Sequence, residues 1–218
     1  MNKQISIDGP AASGKTSIGK QVSSQLKWHF LDTGLMYRAA TWIVIKNKID
    51  FSNESDILLA VKNSDFSISS NYTENSLIIN GQNVITELRT DLIDKYVSQI
   101  SKITEVREIL VDQQREIGKS GNIVMVGRDI GSVVLPNANT KIYLDASLEV
   151  RSKRRFDEMK KNGGLTFEEV EKDLANRDTI DSQRKNSPLI IPENSTLINT
   201  DSMTMPEVVK KILSVVGI

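Results

Sequence analysis

The chain has 218 residues, 39% hydrophobic and 26% charged, so it can bury a core of its own and is not a disordered segment. Lysine plus arginine number 28, as do aspartate plus glutamate, which excludes a general positive field for nucleic acids or anionic membranes. The absence of cysteine excludes disulfides and thiolate metal sites. We expect a cytoplasmic protein, because no targeting segment or membrane-spanning apolar run is visible.

The first predicted element is a buried strand over residues 4–7, followed by a glycine-rich loop and a helix. Ile18, Val22 and Leu26 recur every four residues and give that helix one apolar face. The loop fits G-x-x-x-x-G-K-[ST], the phosphate-binding P-loop, in the strand–loop–helix context that the motif requires. The residues predicted to bind a nucleotide here are Gly9, Pro10, Ala11, Ala12, Ser13, Gly14, Lys15, Thr16 and Ser17.

The chemistry of this loop follows from its residue types. Glycines let the backbone approach a phosphate closely, and the N–H groups of the loop and of the helix N-terminus point at the anion. Lys15 would reach the β- and γ-phosphates as a catalytic residue, and Thr16 would bind magnesium. The alternative is a plain glycine turn between a strand and a helix, which the context of the motif disfavours.

Strands and helices alternate along most of the chain. Further strands are predicted over residues 29–31, 122–126, 141–144 and 196–198. Further helices are predicted over residues 35–46, 105–118, 148–161, 167–185 and 206–215. This order indicates βαβ units and a mostly parallel, doubly wound sheet, with functional loops at the carboxyl ends of its strands.

Residues 65–102 do not follow that alternation. Short strand-like runs at 66–69 and 77–79 flank a polar link, Asn80-Gly81 is a strong turn signal, and a helix is predicted over 91–100. The segment contains enough isoleucine, leucine and valine to pack. We interpret it as a subdomain inserted into a single domain, whose core would be residues 1–64 and 103–218.

Candidate ligand-binding residues follow the second and third strands. Asp32 or Thr33 would begin the next helix as an N-cap, and Arg38 could hold a phosphate by bidentate hydrogen bonds. Arg128 and Asp129, flanked by glycines at the end of the third strand, are well placed for a ligand. The alternative for that pair is a surface turn with a local ion pair.

Two groups of charged residues lie at helical spacing further along the chain. The first is typical of a solvated helix face, and its members are Arg151, Arg154 and Arg155. The second shares one helix face, and its members are Arg177, Asp181 and Arg184. This second group is either a surface salt-bridge ladder or a pair of phosphate-binding arginines that the aspartate positions.

Together these motifs make the chain similar to the bacterial-type cytidylate kinases, a family of nucleoside monophosphate kinases. The P-loop alone is unspecific, but the remaining segments together are highly specific, and they span the chain in order. The matching segments are 7–15, 31–38, 85–90, 97–99, 106–108, 127–134 and 177–184.

The resemblance implies an α/β fold of the P-loop nucleoside monophosphate kinase type. Its five-stranded parallel sheet is flanked by helices, with an inserted nucleotide-binding subdomain near residues 65–102 and a lid near 148–165. The implied activity is that of a (d)CMP kinase: transfer of the γ-phosphoryl group of ATP to CMP or dCMP with Mg²⁺. A cytoplasmic monomer without nucleic-acid or membrane partners is expected.

The resemblance also implies roles for individual residues. The acceptor phosphate would be held by Arg38, Arg128 and Arg184. The cytosine edge would be recognised by Thr33, Arg107 and Asp129. The sugar would be contacted by Ser98, Arg177 and Asp181. The lid over the transferring phosphoryl group would contain Arg151, Arg154 and Arg155, the first as an ATP-binding residue. The catalytic residues would be Lys15, Arg128, Arg154 and Arg155.

One position departs from the family pattern. Members often have an acidic residue before Gly-Arg-Asp, where this chain has Val126. The expected magnesium site therefore consists of Thr16, the nucleotide and water, which suits the tendency of Mg²⁺ to retain waters.

Two other functions compete with this one. Another P-loop kinase, for a different monophosphate or for shikimate, would not explain Thr33, Arg107 and Asp129 together with the insert. A regulatory GTPase needs a guanine-binding Asn-Lys-x-Asp loop after a late strand. The matching letters at 47–50 come directly after the second predicted helix, too early for that role.

Overall fold

The computed structural model describes residues 3–68, 77–159 and 166–217. In chain order its strands are β1 Gln4–Asp8, β2 His29–Asp32, β3 Phe66–Ile68, β4 Leu77–Ile79, β5 Gln82–Asn83, β6 Ile123–Gly127, β7 Thr140–Asp145 and β8 Thr196–Asn199. Its helices are α1 Lys15–Leu26, α2 Thr33–Lys46, α3 Glu54–Lys62, α4 Asp91–Ile100, α5 Thr104–Lys119, α6 Leu148–Met159, α7 Phe167–Gln183 and α8 Met205–Val216.

Within these residues, five parallel strands form the main sheet in the order β2-β6-β1-β7-β8. This confirms the predicted five-stranded parallel sheet flanked by helices. β1 lies at its centre, and its last residue, Asp8, is level with Gly127 of β6 and Tyr143 of β7. Asp32 of β2 is level with Val126 of β6. The P-loop and the loop after β6 therefore leave the same edge of the sheet.

The sheet separates two hydrophobic cores. Side chains along β6 alternate between them: Ile123 and Met125 pack with α2, α4 and α5, whereas Val124 and Val126 pack with α1 and α8. This alternation follows from the two-residue period of a strand that is buried on both faces. None of the helices in the described ranges is long and apolar enough to cross a membrane.

The predicted insert contains an antiparallel sheet, in the order β3-β4-β5, followed by α4. The turn at Asn80 and Gly81 joins β4 to β5, and both residues have positive φ, as the sequence signal predicts. Phe66, Leu77 and Val97 of this region pack in the same core as Met125 of β6. The insert is thus continuous with the core on one face of the main sheet, while its boundaries at 65 and 102 stay a prediction.

The structure differs locally from the predicted elements. The sequence interpretation omitted α3 and the π-helical turn Ile130–Val134, hereafter the π turn. It also began α2 two residues late, because Asp32 is the N-cap and accepts a hydrogen bond from Gly34 N at 3.0 Å. Position 69 of the predicted strand, 160–161 of the predicted helix and 160–165 of the predicted lid lie outside the described residues.

Candidate active site

The P-loop lies between the end of β1 and the start of α1. Gly9 has a φ of 150°, and a Cβ there would lie 2.1 Å from the carbonyl oxygen of Leu144 on β7, so a larger residue cannot be accommodated. Gly14, with a φ of 91°, is the N-cap of α1, and no described side chain caps this helix end. The first N–H groups of α1 are therefore suited to bind an anion.

Lys15 is folded into this loop and does not face solvent. Its Nζ donates to Pro10 O at 2.5 Å and to Ser13 Oγ at 3.2 Å, and the residue is only 7% exposed. Burial, followed by the positive charge of Arg128, holds the Lys15 pKa well below its usual range. A nearby anion would stabilise this ammonium group.

Thr16 contacts a carboxylate that the sequence interpretation did not include in the site. Its hydroxyl donates to Asp32 Oδ2 at 2.7 Å, and the other oxygen of Asp32 caps α2. Val126, where the family often has an acid, is buried against Gly19 of α1. A hydroxyl and a carboxylate oxygen are nevertheless side by side, and these are ligands that Mg²⁺ accepts.

The predicted base-recognition residues meet between α2, α5 and the loop after β6. Arg107 Nη2 donates to Asp129 Oδ2 at 2.6 Å, and both side chains are almost fully buried. The guanidinium of Arg107 lies 5.0 Å from the ring centroid of Tyr37. Thr33 donates to Val126 O at 3.0 Å. The structure thus brings together three residues that are widely separated in sequence.

Asp181 joins two of the three predicted acceptor-phosphate residues, Arg128 and Arg184. Arg128 Nε donates to Asp181 Oδ2 at 2.8 Å, and Arg184 Nη1 lies 3.6 Å from Asp181 Oδ1. Arg184 Nη2 lies 3.7 Å from Asp129 Oδ1 and is buried without a hydrogen-bond partner among the described residues. These contacts favour a functional cluster over a surface salt-bridge ladder, because a buried donor without a hydrogen bond is costly unless a ligand accepts one from it.

Burial and neighbouring charges shift the pKa values of several charged residues of this cluster. Burial and then Arg128 lower the pKa of Arg177 to about 10. Burial and then Arg107 lower the pKa of Arg184. Burial raises the pKa of Asp181, but neighbouring arginines outweigh it and leave that pKa below its usual value. Cations that lie close together, and whose pKa values are lowered by burial and by one another, are suited to bind an anionic ligand.

Arg38 and Ser98 lie where α2 meets the insert. Arg38 Nη1 donates to Leu88 O at 3.0 Å, and its Nη2 pairs with Asp94 of α4. Ser98 is half-buried one turn after Asp94 on the same helix. Arg38 therefore joins α2 to the insert, and its role at the acceptor phosphate stays a prediction.

The three arginines of α6 have different surroundings. Arg151 is buried, donates to Ala11 O of the P-loop at 3.2 Å and pairs with Asp178 Oδ2 of α7 at 2.6 Å. Arg154 donates to Thr200 O, after β8, at 2.7 Å. Arg155 is 39% exposed and lies 3.4 Å from Glu158. Only Arg151 of this trio is a buried P-loop contact, so a uniformly solvated face is wrong.

The sequence interpretation missed Asp8, Asp32 and Asp178 as site residues. Asp32 had been considered only as a helix cap. A charged residue that ends a short predicted strand directly before Gly9 could have indicated Asp8. No comparable signal indicated Asp178, since its partner Arg151 lies on another helix.

Comparison with known proteins gives a consistent family. Residues 5–217 match a family model described as cytidylate kinase. A cytidylate kinase of Alkaliphilus oremlandii (strain OhILAs) is 43% identical over 212 residues, covering 97% of this chain and 96% of the relative. A cytidylate kinase of Bacillus subtilis (strain 168) is 40% identical over 213 residues, covering 97% and 95%.

Solved structures show the same fold at low sequence identity. The shikimate kinase of Bacteroides thetaiotaomicron is similar with a TM-score of 0.51 and 12% identity, with full coverage of both chains. The shikimate kinase of Acinetobacter baumannii in complex with shikimate has a TM-score of 0.51 and 15% identity, covering 99% of this chain and 93% of that chain. These similarities concern the fold alone.

Proposed function

The chain belongs to the cytidylate kinase family, and on that premise we propose that it transfers the γ-phosphoryl group of ATP to CMP or dCMP. The products are ADP and CDP or dCDP. The observation that carries the proposal is the buried Arg107–Asp129 pair, at 2.6 Å, beside Nη2 of Arg184, which lies 3.7 Å from Asp129 Oδ1 and has no hydrogen-bond partner among the described residues. It offers a base-recognising carboxylate and a phosphate-binding guanidinium on one side of the P-loop.

The donor side would hold the phosphates of ATP. The N–H groups that begin α1 and the ammonium of Lys15 face the same loop, and Arg151 adds a third positive group through Ala11. Thr16 and Asp32 would hold Mg²⁺, since their oxygens are 2.7 Å apart and both are hard ligands. The ion would neutralise charge on the phosphate oxygens.

The acceptor side would align the monophosphate for in-line attack. An oxygen of its phosphate forms a bond to the γ-phosphorus, and the bond from that phosphorus to the β–γ bridging oxygen breaks. Arg38, Arg128 and Arg184 would neutralise the repulsion between the two anions and fix their geometry. The acceptor phosphate, with a second pKa near 6 by analogy with phosphoserine, is largely ionised at neutral pH and needs no general base.

Cytosine would be selected by the polarity of its edge. Asp129 can accept a hydrogen bond from the exocyclic amino group, whereas the uracil carbonyl would face it with like polarity. Arg107 can donate to the ring nitrogen and carbonyl of cytosine but meets an N–H in uracil. Each mismatch leaves a buried polar group unpaired, at a cost of about 1–3 kcal/mol.

A coupled assay of ADP release with a panel of acceptors tests this function. The panel is CMP, dCMP, UMP, AMP, shikimate and a blank without acceptor. We expect kcat/KM for CMP to exceed that for UMP by roughly a hundredfold or more. UMP, AMP or shikimate used as efficiently as CMP, or equal turnover in the blank, would contradict the proposal. The same proposal includes a requirement for ATP and Mg²⁺. It also includes a monomeric state and a cytoplasmic location.

A further inference from the structure

Asp8 binds the segment that carries Arg128 and Asp129. Asp8 is the last residue of β1 and is fully buried. Its Oδ1 accepts a hydrogen bond from Ile130 N at 2.7 Å, and its Oδ2 accepts one from Gly131 N at 2.8 Å. A carboxylate on the central strand therefore binds the first two N–H groups of the π turn.

The π turn needs this partner because its own N-cap cannot supply it. Asp129 is the N-cap, but its carboxylate pairs with Arg107 and does not cap the turn. A single π-helical turn is rare and makes few internal hydrogen bonds, and buried N–H groups must be paired. Bonds from backbone N–H groups to a charged carboxylate are among the stronger hydrogen bonds in proteins.

Steric contacts seat the π turn closely on β1. A Cβ on Gly131 would lie 2.7 Å from Ser6 Oγ and 3.2 Å from Asp8 Oδ2, so this position has room only for glycine. At the other end of the turn, Arg115 Nη2 donates to Val133 O at 2.9 Å. The backbone that follows Asp129 is thus fixed at both ends.

We propose that Asp8 is a positioning residue for the acceptor nucleotide, because it holds the π turn and thereby places Arg128 and Asp129. Gly9 of the P-loop follows Asp8 directly, so one residue ties the acceptor-binding loop to the donor-binding loop. This inference rests on the proposed function, in which Arg128 and Asp129 contact the acceptor.

The variant Asp8→Asn tests the inference, with Ser6→Ala as a matched control. Asparagine has nearly the same shape, but its amide oxygen can accept from one N–H while its NH₂ opposes the other. Ser6 is buried on the same face of β1, and its hydroxyl has no partner among the described residues. Ser6→Ala therefore removes a packing contact beneath Gly131 but none of the hydrogen bonds to the π turn.

Two measurements separate a positioning role from a merely structural one. Amide hydrogen exchange by NMR should be at least about tenfold faster at Ile130 and Gly131 in Asp8→Asn, and unchanged there in Ser6→Ala. The KM for CMP should rise by about tenfold or more while the KM for ATP stays within about twofold, since loss of a charge-assisted hydrogen bond has about that effect.

An equal rise of both KM values, or exchange and kinetics matching Ser6→Ala, would overturn the inference. If Asp8→Asn does not fold, Gly131→Ala pushes the π turn away from β1 through contact with Ser6 and must show the same split between the two KM values. Failure of the proposed function is recognised separately, because wild-type protein would then not use CMP, whereas the exchange measurement needs no substrate.

Discussion

The donor and acceptor sides of the site are built in different ways. The proposed donor side is largely one continuous stretch, residues 9–17, whose backbone N–H groups and single lysine would face the phosphates. The acceptor side is assembled from α2, α4, α5, α7 and the loop after β6, and it consists of arginines paired with carboxylates. The geometry of a site formed by one continuous loop depends mainly on local sequence, whereas the geometry of a cluster assembled from several elements depends on the whole fold.

The same contrast applies to stability. Lys15 is a buried cation whose lowered pKa shows that its charge is unfavourable in the folded chain. Arg107 and Asp129 are also buried, but each compensates the charge of the other at 2.6 Å. A change on the donor side should therefore lower activity without lowering stability, and a change on the acceptor side should lower activity and stability together.

The largest expected effect is that of Lys15→Ala on turnover. The variant removes charge stabilisation of the transferring phosphoryl group, so kcat should fall by at least about a hundredfold in the ADP-release assay. Urea unfolding should show a free energy of unfolding equal to or above that of the wild type, because a desolvated charge is lost. Lys20→Ala, an exposed lysine on the same helix, is the control and should change neither quantity. Near-normal turnover of Lys15→Ala would contradict the proposed phosphoryl-transfer mechanism.

The next largest effect is that of Asp129→Asn on stability. The variant leaves the guanidinium of Arg107 buried without its carboxylate, which should lower the free energy of unfolding by about 3 kcal/mol. It should also narrow the preference for CMP over UMP, because an amide can donate to the uracil carbonyl.

Glu116→Gln is the control for that variant. Glu116 pairs with Lys119 on α5, the helix that carries Arg107, but both side chains are largely exposed. Its stability should change by less than about 0.5 kcal/mol. Equal effects of the two substitutions on the free energy of unfolding would show that the buried acceptor-side pair contributes no more to stability than the exposed pair.

The smallest expected effect is a pH dependence of stability at Asp8, where the two sides meet. Burial raises the pKa of Asp8 from 3.8 to about 6. The hydrogen bonds from Gly131 and Ile130 act in the opposite direction. The nearby charge of Asp129 also raises this pKa, and that of Lys15 lowers it. The folded state then holds the proton more tightly than the unfolded state, so this contribution is lost as pH rises through that range.

Urea unfolding at pH 5 and pH 7 measures this effect. The difference in free energy of unfolding between wild type and Asp8→Asn should fall by about 1 kcal/mol from pH 5 to pH 7. Parallel pH profiles of the two proteins would show that Asp8 is ionised throughout this range.

The main sheet was predictable because its strands are short apolar runs separated by helical patterns. α3 was missed because only Ile57 and Val61 of it are fully buried, which gives little periodicity. The π turn was missed because five residues are too few to show any period, and because two hydrogen bonds that it donates to Asp8 on β1 stabilise it. Neither cause is visible in the local sequence.

The candidate site was predictable where chemistry and spacing coincide in one segment, as at Lys15 and Thr16. Asp32 was considered only as a helix cap because its contact with Thr16 depends on how β2 lies beside the P-loop. The roles assigned to Arg154 and Arg155 depended on family resemblance. They stay predictions, since these side chains contact Thr200 and Glu158.

The alternation of side chains along β6 has a consequence for how this protein could evolve. Residues of one parity support the layer beneath the P-loop, and residues of the other parity support the layer that carries the acceptor side and the insert. Substitutions confined to α2, α4 or α5 would change the part of the proposed acceptor side that contains Arg38, Ser98 and Arg107, while the layer of α1 and α8 keeps its packing. The contacts of Arg128 and Arg184 with Asp181 of α7 would stay as they are, and β6 is the strand whose residues must remain compatible with both layers.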